Sequence, residues 1–568
     1  MRGDPGGGAV SNFAANRTTR VDREFPAFCL TPGFCPCKFA PMPIRFSPRV
    51  GNAVLIVLMV SSALWSLWVT RDGIGFTNTD SACYVHGART LLSEGTLLVP
   101  DRHGGLEQMH WWPPLYPTLL AGTSLVTGDV LSAARWLSAL LYPVSILLLW
   151  LLTGRLHFPP WARVLACLVY TFTPMVMTAH IMAMSEAPGL VFWLLSLILI
   201  LQYEQHQTWP WLLAAAVGAA VALLTRYLCL GQAAAGLLFV LIYTAGSVPR
   251  KVVRTLFYGL IAFGPLWCWV HSRPQASVAA ATGRIPGFYA LSTEQIREYA
   301  TTLARWLVPL DGHSWFKFLL LGVAAVLIIA CIVLRCLTRT PLLPRTAMAW
   351  KSMAPLVLLA LNLAAIEGIL LTTALWLDPT MHPNERYRGF AQVFAGLLAG
   401  AWGVAVARSQ PVRFGRAYKI CVGLLLGIVV SAYALAGALW LRDARRVHLE
   451  FGNDAWRRST GITALQQHFP HAPIYTNYFG PIYFYTGRID VHYVPIVYSD
   501  IHPETHRDWE GDLAEMIKAL AAEHGIIVYF KDVEPQMIPV EVLRQNPVLR
   551  VVDETDDALF LRAVADEG

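Results

Sequence analysis

The chain has 568 residues, of which 55% are hydrophobic and only 14% are charged. Soluble domains carry about 25% charged residues, so this charge is too scarce to solvate the surfaces of several soluble domains. The composition excludes a disordered protein, a secreted disulfide-rich protein and a nucleic-acid-binding protein. It indicates a polytopic α-helical membrane protein.

The net charge of +7 hides an uneven distribution along the chain. The segment from Asp443 to the C-terminus contains 20 acidic and 11 basic residues, whereas the preceding part has a net charge of +16. This change marks the boundary between a transmembrane domain at 51–441 and a soluble extracytoplasmic α/β domain at 442–568. Residues 1–50 are rich in Gly, Pro, Arg and Phe and show no periodicity, which predicts a disordered cytoplasmic tail. Met42 is a candidate for the true start of translation.

A transmembrane helix needs about 20 mostly apolar residues, and apolar stretches of this kind predict about eleven spans. They lie at 52–70, 131–153, 161–178, 187–203, 209–225, 227–246, 252–270, 316–337, 353–376, 389–407 and 417–440. Lys and Arg are concentrated in alternate short loops, which indicates the cytoplasmic side. The N-terminus is then cytoplasmic, and the C-terminal domain lies on the opposite face. Arg outnumbers Lys by 37 to 7, which favours a bacterial inner (plasma) membrane with a periplasmic outer face.

Two long loops on the outer face, 71–130 and 271–315, contain further helix signals. In the first, Thr79, Asp80 and Ser81 could cap a helix that Gly95 ends, and a second short amphipathic helix follows. In the second, Ser292 and Gln295 form a capping-box pattern before an amphipathic stretch. Such helices are typical of interfacial anchors, and the second one could also act as a lid over a cavity.

Two carboxylates of the outer face could take part in chemistry. Asp80 could accept a proton from a hydroxyl or amine nucleophile, although its spacing alone favours a helix cap. Glu186 lies in the first turn of the fourth predicted span, where the helix dipole also favours an acid.

Two arginines lie at the same face, and each is followed by a tyrosine (Tyr227 and Tyr387). Arg226 lies in an apolar stretch, so it must be paired or face a water-filled cavity. Arg386 precedes the tenth span, where snorkelling to the membrane edge is an alternative. The planar guanidinium suits phosphate oxygens, so carboxylates and arginines together indicate a lipid-phosphate donor. No cofactor is predicted, no cluster has metal-ligand spacing, and a metal requirement stays open.

Several short motifs, in this order and topology, resemble the GT-C membrane glycosyltransferases over roughly 50–440. The most similar branch contains protein O-mannosyltransferases and the aminoarabinose and sugar transferases that act on lipid A. The motifs are Thr79–Tyr84 with Ala88-Arg89, Leu91-Leu92 and Gly95; Pro113–Pro117, which follows His110; Ser185-Glu186; Thr225–Tyr227; and Arg386-Tyr387.

The resemblance implies a GT-C-like fold, a polyprenyl- or dolichyl-phosphate-linked sugar donor and an inverting mechanism. It assigns the essential Asp of the first outer loop to Asp80 as general base, and phosphate contacts to Arg226 and Arg386. Many family members have Asp-Glu where this chain has Asp80-Ser81, which weakens any transfer of a second acid or a metal site. Further active-site candidates are Tyr84, His110, Glu186, Tyr227 and Tyr387.

The acceptor remains open among a glycolipid, a polysaccharide and a protein, and the sugar could be a hexose or a pentose. A transporter or flippase of lipid-linked saccharide is the main alternative. Transporters often show internal repeats and broken helices near the membrane midplane. In this chain the polar residues cluster at one face, which favours an enzyme. A non-catalytic assembly partner is a third possibility.

The C-terminal region alternates between strand-like and helix-like stretches, which predicts a small α/β domain. Strands are expected at 472–478, 525–530, 549–553 and 558–564, and helices at 456–469 and 512–524. Its tyrosines could bind sugar by stacking or pack in an aromatic core; they are Tyr475, Tyr478, Tyr483 and Tyr485.

Overall fold

The computed structural model describes most of the chain from residue 47 onward. The described ranges are 47–77, 79–101, 104–110, 112–272, 287–310, 314–337, 353–378, 385–408, 415–497, 509–531 and 537–564. Almost all of the predicted tail at 1–50, including Met42, lies outside these ranges.

The described part is mostly helical. The helices up to residue 443 are α1 Pro48–Val69, α2 Thr79–Glu94, α3 Leu115–Thr127, α4 Val130–Arg155, α5 Pro160–Thr171, α6 Pro174–Ala179, α7 Glu186–His206, α8 Trp209–Thr225, α9 Leu230–Tyr243, α10 Val248–His271, α11 Thr293–Arg305, α12 Ser314–Leu337, α13 Ala354–Trp376, α14 Glu385–Arg408 and α15 Gly415–Asp443. The C-terminal helices are α16 Thr460–His468, α17 Phe479–Thr486, α18 Trp509–Ala522 and α19 Val540–Gln545.

Helix is found at each of the eleven predicted spans. Among the described residues, six helices are long and apolar enough to cross a membrane: Pro48–Val69, Val130–Arg155, Glu186–His206, Val248–His271, Ala354–Trp376 and Ile420–His448. A multi-pass membrane protein is therefore supported, while the count of eleven stays a prediction.

The prediction of one continuous span at 161–178 was wrong, because the chain forms α5 and α6 there. Pro174 lacks the backbone N–H that a continuing helix would need, and it disfavours helical geometry at the preceding residue. Thr173 is accordingly extended, with φ −75° and ψ 118°.

Polar side chains inside the bundle pair with one another. The Trp193 indole donates to Asn362 Oδ1 at 2.9 Å, and Gln232 Nε2 donates to Ser196 Oγ at 2.7 Å. Buried polar groups are costly unless they are hydrogen-bonded, and in these two contacts a donor meets an acceptor.

The first long loop contains α2, a two-stranded antiparallel hairpin and α3. The hairpin strands are β1 Leu98–Pro100 and β2 Leu106–Gln108. As predicted, α2 ends before Gly95, whose φ of +72° favours glycine. The two short helices expected in this loop are thus present.

A five-stranded sheet with the order β4-β3-β5-β7-β6 lies in the C-terminal region. Its strands are β3 Ile474–Thr476, β4 Val491–Tyr493, β5 Ile526–Phe530, β6 Leu549–Glu554 and β7 Ala558–Ala563. Strands β4, β3 and β5 are parallel to one another. Strand β7 is antiparallel to both of its neighbours, β5 and β6. The sheet contains strands at all four predicted places, and β4, α17 and α19 were not predicted. Tyr475 and Tyr483 are buried, which favours the packing interpretation of the tyrosine cluster.

Candidate active site

Asp80 lies in the first turn of α2, one residue beyond the helix start. Its Oδ1 accepts a hydrogen bond from the Trp112 indole at 2.9 Å. The neighbouring Ser81 Oγ accepts a hydrogen bond from the Thr77 amide at 3.1 Å. Asp80 is partly exposed, so the carboxylate is held by an aromatic donor at a position that solvent reaches.

Tyr84 lies one turn after Asp80 and connects α2 to the start of α7. Its hydroxyl is 2.9 Å from Ser185 Oγ, and its ring packs edge-on against Tyr116 at 5.1 Å between centroids. Burial, and secondarily the negative charge of Asp80, raise the pKa of the Tyr84 hydroxyl well above its usual range. Tyr84 therefore stays protonated and acts as a hydrogen-bonding group.

Glu186 and Arg226 form a buried ion pair beside this contact. Arg226 Nη1 is 2.6 Å from Glu186 Oε1, and the two side chains are only 10% and 6% exposed, respectively. The same nitrogen donates to Ser185 Oγ at 3.2 Å. The sequence required Arg226 to be paired or to face water, and the Glu186 carboxylate at the start of α7 compensates its charge.

The backbone positions Arg226 through a break between α8 and the following helical turn. Arg226 is extended, with φ −149° and ψ 136°, and its side chain runs over Gly189 of α7. A methyl group at Gly189 would lie 3.3 Å from Arg226 Cδ, so glycine allows the close approach.

His110 and Tyr227 meet near this cluster, but through the backbone of His110. The Tyr227 hydroxyl donates to the His110 carbonyl at 3.1 Å. The His110 ring is bonded through Nδ1 to the Gln108 carbonyl at 2.7 Å. These contacts tie the end of the hairpin to the turn that follows α8.

The side chains of Arg386 and Tyr387 lie outside the described part of the chain, although their backbone belongs to α14. The next residue, Arg388, is fully buried, and its Nη2 is 2.9 Å from Glu367 Oε1. Its guanidinium lies 3.7 Å from the centroid of the Tyr299 ring and 4.8 Å from that of Trp306. The Tyr299 hydroxyl donates to Glu367 Oε2 at 2.8 Å.

Sequence reasoning missed this second charged cluster. The available signal was Glu367, a carboxylate within the apolar stretch 353–376, because an ionisable residue inside a span marks a functional or structural site.

A cavity of about 610 Å³ adjoins the first cluster. Glu186 forms part of its wall, so the cavity reaches the ion pair with Arg226, and Thr77 lines it just before α2. Its other charged or titratable lining residues are Arg305, Arg442, Asp443, His448 and Glu450, and its apolar wall includes Met175, Met182, Met184 and Leu439. A cavity lined by both apolar and charged residues can hold an amphipathic ligand.

No group of three or more His, Cys, Asp or Glu within the described ranges is arranged to hold a metal ion. The described cluster consists of carboxylates, an arginine and tyrosines.

These features define a helical membrane protein with a charged site where the first loop helix meets the bundle. Residues 112–269 match the family model described as dolichyl-phosphate-mannose-protein mannosyltransferase. The matched segment contains Trp112, Glu186, Arg226 and Tyr227 of the site. The match confirms the resemblance to the mannosyltransferase branch of GT-C glycosyltransferases that the motifs indicate. A search of curated protein sequences gives no match.

Solved structures of GT-C glycosyltransferases are similar at low identity. ArnT from Cupriavidus metallidurans, bound to undecaprenyl phosphate, is 14% identical, with 91% of this chain and 99% of that chain covered and a TM-score of 0.47. The arabinofuranosyltransferase AftD from Mycobacteria is 14% identical over 91% and 40% of the two chains, with a TM-score of 0.49. The archaeal oligosaccharyltransferase AglB from Archaeoglobus fulgidus, in complex with an inhibitory peptide and a dolichol-phosphate, is 12% identical over 84% and 69%, with a TM-score of 0.47.

Proposed function

We propose that this protein is a membrane glycosyltransferase that transfers a sugar from a polyprenyl-phosphate-linked donor to an acceptor. The observation that carries the proposal is the placement of Asp80 one helical turn from Tyr84, which is bonded into the Ser185–Glu186–Arg226 cluster. The family match over 112–269, which includes most of that cluster, supports the same reaction class.

In the proposed reaction Asp80 acts as general base. Its carboxylate takes the proton from an acceptor hydroxyl or amine while the acceptor oxygen or nitrogen attacks the anomeric carbon. The bond between that carbon and the donor phosphate oxygen breaks, and the phosphate leaves with the electron pair. A single displacement inverts the anomeric configuration, and a phosphate leaving group needs no general acid.

Arg226 and Arg386 are proposed to contact the donor phosphate and to stabilise its growing charge. The Glu186 carboxylate fixes the Arg226 guanidinium at the start of α7, so we assign Glu186 a positioning role. Tyr84, His110, Tyr227 and Tyr387 are proposed to shape the substrate site around these charges.

We place this site on the periplasmic face of the inner membrane, with a cytoplasmic N-terminus. The basis is the positive-inside distribution of Lys and Arg in the short loops. The division into a transmembrane domain at 51–441 and an extracytoplasmic α/β domain at 442–568 belongs to the same proposal. Acceptors on that face would be glycolipids, polysaccharides or proteins.

The test uses membranes that contain wild type, Asp80→Asn or Asp129→Asn at matched levels. Asp129 is a suitable control because its Oδ1 caps α4 by accepting from the Leu131 and Ser132 amides at 2.9 and 3.0 Å. Asn caps a helix about as well as Asp. Radiolabelled polyprenyl-phosphate sugars are supplied, and label is followed into lipid, polysaccharide and protein.

Wild type and Asp129→Asn are expected to transfer label, and Asp80→Asn to lose transfer while keeping a normal elution profile in detergent. Transfer by Asp80→Asn at the wild-type rate would remove Asp80 as the base. Absence of transfer by wild type from every donor tested would count against the activity. The labelled fraction identifies the acceptor class.

A further inference from the structure

The C-terminal region makes a buried polar contact with α2, the helix that carries Asp80. Tyr483 of α17 is only 2% exposed. Its hydroxyl accepts a hydrogen bond from Arg89 Nη1 at 2.9 Å and lies 3.3 Å from His86 Nδ1. One hydroxyl of the C-terminal region thus meets two polar side chains of α2.

The protonation states around this hydroxyl fit a directed chain of hydrogen bonds. Burial raises the pKa of Tyr483 to about 12, so the hydroxyl keeps its proton. Burial and the charge of Arg89 lower the pKa of His86 to about 4, so its ring is neutral and can accept a hydrogen bond at Nδ1. Arg89 donates to Tyr483, and Tyr483 can donate to His86.

A second contact holds the segment just before α2. The Phe76 amide donates to the Leu449 carbonyl at 3.2 Å, and the Phe451 amide donates to the Phe76 carbonyl at 3.1 Å. The Phe76 ring stacks on Tyr483 at 6.1 Å between centroids. Asp80 therefore lies in the chain between two sites of contact with C-terminal residues, one at Phe76 and one at His86 and Arg89.

The two contacted faces of α2 are opposite each other. At about 3.6 residues per turn, His86 and Arg89 point away from the side of Asp80 and Tyr84. Tyr84 contacts Ser185 of the bundle, while Arg89 contacts Tyr483. The helix is held from both sides, so loss of one contact allows rotation about its axis.

A small rotation is enough to matter for catalysis. A helix with its side chains has a radius of about 5–6 Å, so a rotation of about 10° moves an Asp80 oxygen by roughly 1 Å. A displacement of about 1 Å at a reacting group can cost on the order of 100-fold in rate.

We propose that the C-terminal region is part of the catalytic unit, with Tyr483 as a positioning residue that holds α2, and thereby Asp80, through Arg89 and His86. The inference rests on the proposed glycosyltransferase activity. It gives the C-terminal region a role in the transfer step itself.

The test compares Tyr483→Phe with wild type in the full-length protein. The substitution keeps the ring and removes only the hydroxyl. At saturating donor we expect a 10- to 100-fold lower turnover, a KM changed less than threefold, and faster amide exchange confined to 79–94. Arg89→Met should behave similarly, and the double variant should be no slower than the worse single variant, because both remove the same hydrogen bond.

Tyr529→Phe is the matched control. Tyr529 is also a buried tyrosine of the C-terminal region, and its hydroxyl donates to the Ile538 carbonyl at 2.9 Å. This variant should keep wild-type turnover and unchanged exchange in 79–94.

Wild-type turnover and exchange in Tyr483→Phe would overturn the positioning role, and so would faster exchange throughout the protein. The exchange measurement needs no substrate. If wild type transfers no sugar but Tyr483→Phe loosens 79–94, the contact with α2 stands and the proposed activity fails.

Discussion

Replacing Glu186 with Gln removes the negative charge that faces Arg226. The two side chains are 6% and 10% exposed and 2.6 Å apart, so the cation is left in a site that water barely reaches. Breaking a buried ion pair by removing one partner typically costs about 3–5 kcal/mol. We expect Glu186→Gln to lower the free energy of unfolding by about that amount.

The double variant Glu186→Gln/Arg226→Met separates the cost of an uncompensated charge from that of lost packing. It removes both charges, so most of the stability should return. Replacing a complete buried ion pair by groups of similar volume is often close to neutral.

Arg544→Gln provides the exposed comparison. Arg544 and Glu554 are also 2.6 Å apart, but their side chains are 44% and 41% exposed. Exposed pairs contribute about 0–1 kcal/mol, so this variant should unfold almost like wild type.

The free energies are measured by equilibrium denaturant unfolding of the detergent-solubilised protein. The predicted cost of an uncompensated buried charge is refuted if Glu186→Gln loses no more stability than Arg544→Gln. It is also refuted if the double variant is as unstable as Glu186→Gln alone, because the uncompensated charge would then not be the cause.

Three further changes have defined outcomes. Ser292→Ala removes the capping box of α11, which should cost about 0.5–2 kcal/mol and speed amide exchange in Thr293–Arg305; unchanged exchange there would contradict it. The pKa of His86 is lowered from 6.5 to about 4 by burial and the charge of Arg89, so the unfolded chain binds the proton more readily and stability should fall as pH drops from 6.5 to 4. This fall is measured as a decline in melting temperature, which the variant His86→Gln should flatten. An equally steep decline in His86→Gln would exclude His86 as its source. Tyr84→Phe removes the hydroxyl shared with Ser185 but keeps the ring contacts, so a loss of about 1 kcal/mol in unfolding free energy is expected; a loss as large as that of Glu186→Gln would show that the hydroxyl does more than bridge α2 and α7.

The helical part of the fold was predictable because its signals are local. An apolar stretch, a capping box or a glycine after a helix can be read from neighbouring residues, as at Ser292 and Gly95. The break between α5 and α6 was missed because hydropathy is insensitive to the missing amide of Pro174. Strand β4 was also missed; it is a three-residue strand at the edge of the sheet and, among the described strands, pairs only with β3.

The members of the first cluster were predictable, but most of their contacts were not. Asp80, Glu186 and Arg226 stand out as polar residues at the edges of apolar segments. Tyr84 and Ser185, however, are 101 residues apart in the chain, and only tertiary packing brings them together. The requirement that Arg226 be paired follows from the cost of burying a charge, whereas the identity of its partner does not.

The second cluster, Arg388 with Glu367 and Tyr299, bears on whether α11 is an anchor or a lid. Tyr299 of α11 covers the Arg388 guanidinium with its ring and donates its hydroxyl to Glu367. Trp306, at the end of α11, lies over the same cation. If α11 lifted as a lid, both rings would leave Arg388 and Glu367 would lose the Tyr299 hydroxyl. Arg388 is fully buried, and buried polar groups are costly to leave without partners. The structure therefore favours α11 as an anchor, so substrates would have to enter the cavity beside Glu186 without displacement of this helix.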